Sequence, residues 1–242
     1  METARPDFLL TGFRSFTQDA SGRPLPNPTE TLLRMMRDAE LPGSGLWRGV
    51  ARIGGRTCAL AVADVNYTAP RQILDLAREI RPRVIVCLGL GGETVFETGA
   101  LNSVARGRPV YDRDGKPIET GGLDTNGPDT GILDPALPEN AAISLPWGAG
   151  NLARLREIAA RWTEPGNLGP LGSVRVAPAA RPDNNYVCNA TAWAVARVMT
   201  QAGSPSECAG FLHVAPPKTP SDGYFLAAAN LLVDVVRAIR PE

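Results

Sequence analysis

The feature that most constrains the fold is residues 83–88 (RVIVCL), a run that is almost continuously apolar and rich in β-branched side chains. A strand with apolar residues on both faces is typical of the centre of a parallel sheet that helices cover on both sides. The run leads into a glycine cluster, Gly89-Leu90-Gly91-Gly92. We therefore predict a central parallel strand followed by a tight turn.

Strand-like and helix-like segments alternate along the rest of the chain. The predicted strands cover residues 8–11, 47–53, 57–63, 83–88, 94–97, 173–177 and 210–214, and the predicted helices begin at residue 28 or cover 70–80, 148–162, 190–200 and 223–239. The strands at 47–53 and 57–63 form a hairpin, because Gly54-Gly55 joins them. This order predicts an α/β fold, a three-layer α/β/α sandwich with a mostly parallel central sheet. Residues 1–242 are expected to form a single domain.

Capping residues indicate where two of these helices begin. Asn27 is a favourable N-cap, Pro28 suits the first helical position, and Glu30 stands where a capping box requires an acidic side chain. Ser221 or Asp222 is expected to cap the last helix. Between these regions, residues from about 106 to 147 are dense in Gly, Pro and Asp. Such a length is unusual for a connection, so we expect a lid or an insertion stabilised by a partner subunit.

The charge balance limits the classes of partner. Lys and Arg together number 25, equal to Asp and Glu, so the formal net charge is zero, and no basic run appears. This balance argues against a nucleic-acid partner or a membrane surface. The chain has no apolar stretch long enough to span a bilayer, and its first residues lack the features of a signal peptide. We therefore expect a cytoplasmic protein.

Cysteine and histidine are few, which restricts the possible chemistry. The four cysteines show no CxxC spacing, and Cys58 and Cys87 lie within predicted strands. In a reducing compartment this pattern predicts no disulfides. His213 is the one histidine, so zinc sites built from paired histidines are excluded and any imidazole chemistry involves this residue.

Cys188 is the candidate nucleophile. It stands at the start of the predicted helix 190–200, where Asn189 is a suitable N-cap. The positive end of the helix dipole favours a thiolate over a thiol. The alternative is a buried structural cysteine, since cysteine side chains also behave as small hydrophobes.

A thiol nucleophile needs a base, and the base needs an acceptor that orients it. One helix and one strand separate Cys188 from His213, which suggests neighbouring strands at one edge of the sheet. Glu97 is the carboxylate expected nearest to this edge. The alternatives are a core histidine bonded to backbone and a solvated loop acid.

Ligands of open α/β sheets bind beyond the carboxyl ends of the strands. The loop from Phe13 to Phe16 follows such an end and exposes two aromatic side chains, which form either a pocket wall or a small hydrophobic cluster. The glycine cluster lacks the Lys-Ser/Thr of a P-loop. Close backbone approach at the turn is therefore a better interpretation than nucleotide binding.

Four separated motifs together resemble those of the pyroglutamyl peptidases, or pyrrolidone-carboxylate peptidases, which are cysteine exopeptidases with a Glu-Cys-His triad. The matching stretches, in chain order, are Thr11-Gly12-Phe13 with Phe16 and Asn27-Pro28-Thr29; residues 82–92 followed by Glu97, Ala100 and Asn102; Tyr186-Val187-Cys188-Asn189; and Phe211-Leu212-His213-Val214. Each motif alone is weak, but their shared order is fairly specific.

The resemblance implies that Cys188 attacks the carbonyl of an N-terminal pyroglutamyl group while His213 moves the proton and Glu97 orients the imidazole. The resemblance and the helix start together suggest that the backbone N–H of Cys188 and the side chain of Arg106 stabilise the oxyanion. Five other residues of the matching motifs are assigned to substrate binding: Phe13, Phe16, Leu90, Tyr186 and Val187. A peptide or small amide substrate, a homodimer or homotetramer, and neither metal nor cofactor are implied.

The chain departs from the family pattern at several positions. Thr98 replaces the usual Arg after the glutamate, Leu90 replaces a Gln that recognises the lactam, and Ala215 separates His213-Val214 from the expected proline. A buried lactam N–H without a partner costs about 1–3 kcal/mol, so we expect a weakened preference for the pyroglutamyl group. A non-catalytic relative that binds a peptide end or small molecule is the alternative. A nucleoside-phosphorylase-like transferase ranks below both because no phosphate site is visible.

Overall fold

A computed structural model describes residues 5–17, 24–42, 45–104, 132–164, 169–178, 186–217 and 221–241. The strands in these ranges are β1 (Phe8–Phe13), β2 (Phe16–Thr17), β3 (Pro24–Leu25), β4 (Ala39–Leu41), β5 (Trp47–Ile53), β6 (Arg56–Ala63), β7 (Val84–Leu90), β8 (Thr94–Glu97), β9 (Gly99–Leu101), β10 (Ala142–Ser144), β11 (Val174–Ala177) and β12 (Cys208–Val214). The helices are α1 (Pro28–Met36), α2 (Ala69–Ile80), α3 (Ala149–Thr163), α4 (Val187–Met199) and α5 (Asp222–Ala238).

The described strands build a mixed sheet of eight strands in the order β11-β8-β12-β7-β1-β6-β5-β4. The central strands β12, β7, β1 and β6 are parallel, and β7 lies between β12 and β1 as the apolar run predicts. Antiparallel pairs flank this centre: β8 pairs with β12 on one side, and the predicted hairpin of β5 and β6 lies on the other. The α/β fold is confirmed.

The strand order corrects one expectation about the site. β8 lies between β11 and β12, so the strand that precedes Cys188 is not a neighbour of the strand that carries His213. β11 is parallel to β8, and β8 is antiparallel to β12. The end of β11 therefore does not lie at the same sheet edge as the end of β12. The order of these strands depends on long-range pairing, which the connection lengths do not determine.

The helices occupy both faces of the sheet. α5 contacts both α1 and α3 on one face, and α2 contacts α4 on the other. Side chains alternate along each strand, so Gly12 points toward Thr29 and Leu33 of α1 while Thr11 and Phe13 point toward the opposite face. Strand register places Cys87 beside Thr11 on that opposite face, with Phe211 on its other side. Two residues further along, the same face carries Phe13, Gly89 and His213.

Side chains fix the start of α1 and the loop before it. The Oδ1 of Asn27 accepts a hydrogen bond of 3.1 Å from the N–H of Thr29, which confirms the predicted cap. Glu30 does not close a capping box; its Oε2 accepts from the N–H of Ser15 at 3.1 Å instead. The same helix end therefore anchors the loop after β1. Ser221 caps α5, as expected.

Part of the predicted irregular insertion is visible. Residues 132–147 include β10, which pairs antiparallel with β9. The last residue of this segment is Trp147. The Trp147 ring is fully buried and packs edge-on against Phe96 at 6.5 Å. Arg106 and the neighbouring residues lie outside the described ranges. None of the helices within those ranges combines the length and apolar character needed to cross a bilayer.

Gly210 makes room for the Trp147 ring, and this contact generates a prediction about stability. An added Cβ at Gly210 would lie 1.8 Å from the ring, which is fully buried and has no space to move. We expect Gly210→Ala to lower the free energy of unfolding by about 2 kcal/mol or more, measured by urea denaturation.

Gly92→Ala is the matched control, because a Cβ there meets no atom within 4 Å. Its free energy of unfolding should stay within about 0.5 kcal/mol of the parent value. Equal stability of the two variants would show that Trp147 does not fill the space above Gly210.

Candidate active site

Cys188 lies in the first turn of α4. The helix begins at Val187, with Tyr186 as an N-cap whose side chain makes no capping bond. The prediction that Asn189 caps this helix is therefore wrong. The amide of Asn189 instead accepts from the N–H of Leu101 at 2.9 Å and donates to the carbonyls of Leu101 and Ser103 at 2.8 and 2.9 Å. Cys188 nevertheless remains at the positive end of the helix dipole.

His213 lies near the end of β12 and contacts a buried carboxylate. Its Nδ1 is 2.5 Å from Oε1 of Glu97, and the Glu97 side chain is 3% exposed. Register explains the contact: Glu97 pairs with Phe211 across the strands, so His213 is its diagonal neighbour on one face. The interpretation of Glu97 as a solvated loop acid is therefore wrong.

Cys188 is the second group that interacts with the imidazole ring. Burial lowers the pKa of His213, but hydrogen bonds to Cys188 and Glu97 and the negative charges of both groups raise it to about 10. The ring therefore carries a proton at neutral pH. Phe211 packs edge-on against it with ring centroids 5.0 Å apart, which restricts rotation. The structure thus brings Cys188, His213 and Glu97 together, with the imidazole in the middle.

The glycine cluster lets these side chains approach the sheet. A Cβ added at Gly89 would lie 2.7 Å from Sγ of Cys188, and one at Gly91 would lie 2.8 Å from Cβ and Cγ of His213. Real side chains do not tolerate such separations. The close approach predicted for the cluster is therefore present, and its function is to accommodate the sulfur and the ring.

Other predicted site residues differ in their exposure. Phe13 is 1% exposed and lies within β1, which pairs with β6 as far as Ala63, so the expected exposed loop begins only at residue 14. Phe16 is half-buried in β2, as are Leu90 at the end of β7 and Tyr186 before α4, and Val187 is buried. The substrate-binding roles of these residues stay predictions. The same holds for Arg106, which lies outside the described residues.

Two asparagines connect α4 to the middle of the chain. Asn102 is fully buried, accepts from the N–H groups of Leu133 and Asp134 at 3.0 and 2.7 Å, and donates to three carbonyls of residues 134–138. Asn189 holds the residues on either side of Asn102, as described above. The first turn of α4 is thereby tied to β9, and β9 is tied to the segment after residue 132.

Sequence reasoning missed two residues beside the site. Trp147 donates from Nε1 to the carbonyl of Glu97 at 2.7 Å and so fixes the backbone that carries the carboxylate. Tyr67 is 2% exposed, and its pKa is raised by burial and by the charges of Tyr186 and Cys188. Tyr67 follows the carboxyl end of β6, and this position is the signal that points to it. Within the described ranges, no group of three His, Cys, Asp or Glu side chains is arranged to hold a metal.

The glycine contact generates a prediction about the reactivity of Cys188. We expect Gly89→Ala to displace Sγ from His213 and to slow alkylation by iodoacetamide at pH 7 by about tenfold or more, because the sulfur moves away from the cationic imidazole. Cys58, Cys87 and Cys208 are buried, so alkylation of the folded protein reports on Cys188. Gly92→Ala is the control and should react at the parent rate; a Gly89→Ala rate that matched it would contradict this account.

Glu97→Gln should lower the pKa of His213, because the carboxylate charge is removed while the side chain keeps its shape. A chain with one histidine permits direct measurement by NMR titration. We expect a titration near 10 in the parent and at least about one unit lower in the variant. Unchanged values would show that Glu97 does not stabilise the imidazolium.

The same pKa shift predicts how stability varies with pH. The folded chain binds the His213 proton more tightly than the unfolded chain, in which the ordinary value is 6.5. The resulting stabilisation is fully present below about pH 6.5 and is lost as the pH rises through about 10. Urea denaturation between pH 7 and 10 should therefore show a smaller loss of stability in Glu97→Gln than in the parent.

Comparison with known proteins identifies the fold. No protein-family model matches the chain, and no curated protein sequence matches it significantly. Solved structures do match over nearly the whole length. A point mutant of the pyrrolidone carboxyl peptidase of the hyperthermophile Pyrococcus furiosus aligns with a TM-score of 0.61 and 18% identity, covering 96% of this chain and 97% of the other.

Peptidases from two further organisms align in the same way. Pyroglutamyl peptidase I of Bacillus amyloliquefaciens has a TM-score of 0.57 and 17% identity, covering 97% of this chain and 96% of its own. Pyrrolidone carboxyl peptidase of Thermus thermophilus has a TM-score of 0.53 and 19% identity, covering 96% and 99%. The chain therefore has the fold of the pyrrolidone carboxyl peptidases.

Proposed function

We propose that the chain is a divergent pyroglutamyl peptidase, a cysteine exopeptidase that hydrolyses an N-terminal pyroglutamyl or related cyclic acyl amide. The observation that carries this proposal is the placement of the imidazole of His213 between the thiol of Cys188 and the buried carboxylate of Glu97. Nucleophile, base and orienting acceptor in this order are what acyl transfer through a thiol requires. The likeness in fold to enzymes of this activity supports the same proposal.

The first step forms the acyl-enzyme. Sγ of Cys188, as a thiolate, attacks the carbonyl carbon of the acyl group, and the carbonyl electrons move to oxygen. The backbone N–H of Cys188 points from the first turn of α4, where the helix dipole favours a negative charge, so it stabilises the oxyanion. We assign the second oxyanion contact to Arg106.

Collapse of this intermediate breaks the C–N bond. Nδ1 of His213 faces Glu97, so Nε2 is the nitrogen that exchanges a proton with sulfur and substrate. Nε2 donates its proton to the leaving amine, and a thioester remains on Cys188. Glu97 keeps the ring orientation constant through this transfer because Trp147 holds its backbone carbonyl.

Hydrolysis of the thioester reverses the proton movement. Nε2 of the neutral ring takes a proton from water as the oxygen attacks the carbonyl carbon. The C–S bond then breaks, which releases the free acid and restores the thiolate beside the protonated imidazole. The products are the cyclic acid and a peptide shortened by one residue, and the reaction uses peptide or small amide substrates.

The pocket composition favours a flat, largely apolar acyl group. Phe13, Phe16 and Val187 are the predicted apolar contacts, and Leu90 adds another at the end of β7. Because Leu90 offers no amide, we expect weaker selection for the lactam N–H than in a site that hydrogen-bonds it. We further propose that the protein is cytoplasmic and forms a homodimer or homotetramer.

A second candidate function is a non-catalytic relative that binds a peptide N-terminus or small molecule in the same pocket. The replacements at Leu90 and Thr98 favour it, because Leu90 lies within the glycine cluster and Thr98 directly follows Glu97. The two functions differ in a single observable, which is turnover of an acyl amide.

A panel of N-acyl aminocoumarins that includes the pyroglutamyl amide tests the proposal. We expect the parent to release aminocoumarin from the pyroglutamyl amide. Cys188→Ala and His213→Ala should lose at least about a thousandfold in kcat/KM, because each removes a group that acts in the bond-breaking step. Glu97→Gln should lose less, since the ring and the thiol remain.

Gly92→Ala serves as the control and should keep the parent kcat/KM, because its Cβ meets no atom within 4 Å. Turnover by Cys188→Ala at the parent rate would refute the nucleophile. Absence of turnover of every amide by the parent, with rapid alkylation of Cys188, would favour the binding relative.

A further inference from the structure

Tyr67 is a buried tyrosine that the proposed mechanism does not use. It lies between β6 and α2, directly after the carboxyl end of β6, and its side chain is 2% exposed. β6 pairs in parallel with β1, which in turn pairs with β7, so this end of β6 lies at the same sheet edge as Gly89. The residue therefore stands at the edge where this fold binds ligands.

The Tyr67 hydroxyl has no hydrogen-bond partner among the residues that the structure describes. Its pKa is raised by burial and by the charges of Tyr186 and Cys188, and no hydrogen bond contributes. Buried tyrosine hydroxyls ordinarily find a partner. Tyr224 illustrates the rule in the same chain, since its hydroxyl donates to the carbonyl of Ala215 at 2.6 Å. The Tyr67 oxygen is not among the fully enclosed side-chain atoms that lack a partner, so it is open to a molecule bound beside it.

The surroundings of Tyr67 locate that molecule. The phenol interacts electrostatically with Tyr186 and Cys188, the residue before α4 and the candidate nucleophile. Tyr186 and Val187 flank the sulfur on one side along the chain, and the imidazole of His213 occupies another side. α2, which begins two residues after Tyr67, packs against α4, whose first turn carries Cys188, so the phenol lies near the sulfur on this side of the sheet.

We propose that the Tyr67 hydroxyl donates a hydrogen bond to the ring carbonyl of a lactam bound next to Cys188 and thereby determines specificity for cyclic amides. This inference rests on the proposed function, whose substrate carries such a ring. Leu90 offers no polar group, so the hydroxyl supplies the polar contact that an apolar pocket needs in order to orient its ligand. A phenol that stays protonated is available as a donor.

The experiment measures how 2-pyrrolidone, the bare lactam ring, protects Cys188 from iodoacetamide. Without 2-pyrrolidone, Tyr67→Phe should be alkylated at the parent rate within about twofold, since the triad is unchanged. The 2-pyrrolidone concentration that halves the alkylation rate should rise about tenfold, as expected for the loss of one hydrogen bond. With the pyroglutamyl aminocoumarin, KM should rise by a similar factor while kcat changes less than about threefold.

Thermal unfolding and a control variant separate ligand binding from folding. Tyr67→Phe should keep or raise the Tm, because its hydroxyl bonds to no described residue, whereas Tyr224→Phe should lower the Tm because it removes the bond to Ala215. Tyr224→Phe should leave the protecting concentration of 2-pyrrolidone unchanged within about twofold.

The possible outcomes distinguish this inference from the proposed function. Equal protection of the parent and Tyr67→Phe, or no protection of either, overturns the role of Tyr67. Protection that depends on Tyr67 without turnover of any amide by the parent supports the lactam site and refutes the peptidase. Turnover of the pyroglutamyl amide that is indifferent to Tyr67→Phe leaves the peptidase intact and overturns the inference.

Discussion

The contact between the His213 ring and the Glu97 carboxylate is the interaction on which the rest of the site depends. A carboxylate that is 3% exposed is costly to bury alone, so its charge has to be balanced by a proton on the imidazole. This contact in turn requires the direction of β8. Glu97 reaches the ring diagonally because β8 is antiparallel to β12. The antiparallel strand beside a parallel centre is therefore part of the site's chemistry.

Absent side chains are as important to this site as those present. On one face of the sheet, Gly89 and Gly91 leave space for the sulfur and the imidazole. On the other face, Gly210 leaves space for Trp147, whose indole holds the carbonyl of Glu97. On each face of the β7–β12 pair, the missing glycine side chain thus allows a larger side chain to pack directly against the backbone. The backbone around Cys188, His213 and Glu97 is consequently confined from both sides, which restricts how far these side chains can move relative to one another.

Local features of the sequence were sufficient to predict much of the fold, because they act within a few residues. The apolar run before Gly89 identified β7, Gly54-Gly55 identified the hairpin, and Asn27 identified the start of α1. The single histidine, the small number of cysteines and the order of the motifs pointed to Cys188, His213 and Glu97, which the structure brings together. The order and direction of β8 and β11 could not be predicted, because pairing between distant strands leaves no periodic signal. The wrong prediction for Asn189 has the same cause. Its amide is suited to capping a helix, but it bonds instead to Leu101 of β9, which is 88 residues away in the sequence.

The hydrogen bonds of Asn102 and Asn189 have a consequence for how the chain tolerates change. Asn189 secures the chain where it leaves β9, at Ser103, and Asn102 secures it where it returns, at residues 133–138. Both anchor points are linked through β9 to Asn189 and so to the first turn of α4. Insertions and deletions between them can accumulate over evolution, or be engineered, while the sulfur of Cys188 keeps its position. The position of the Cys188 sulfur is in this sense mechanically insulated from changes of length between the two anchor points.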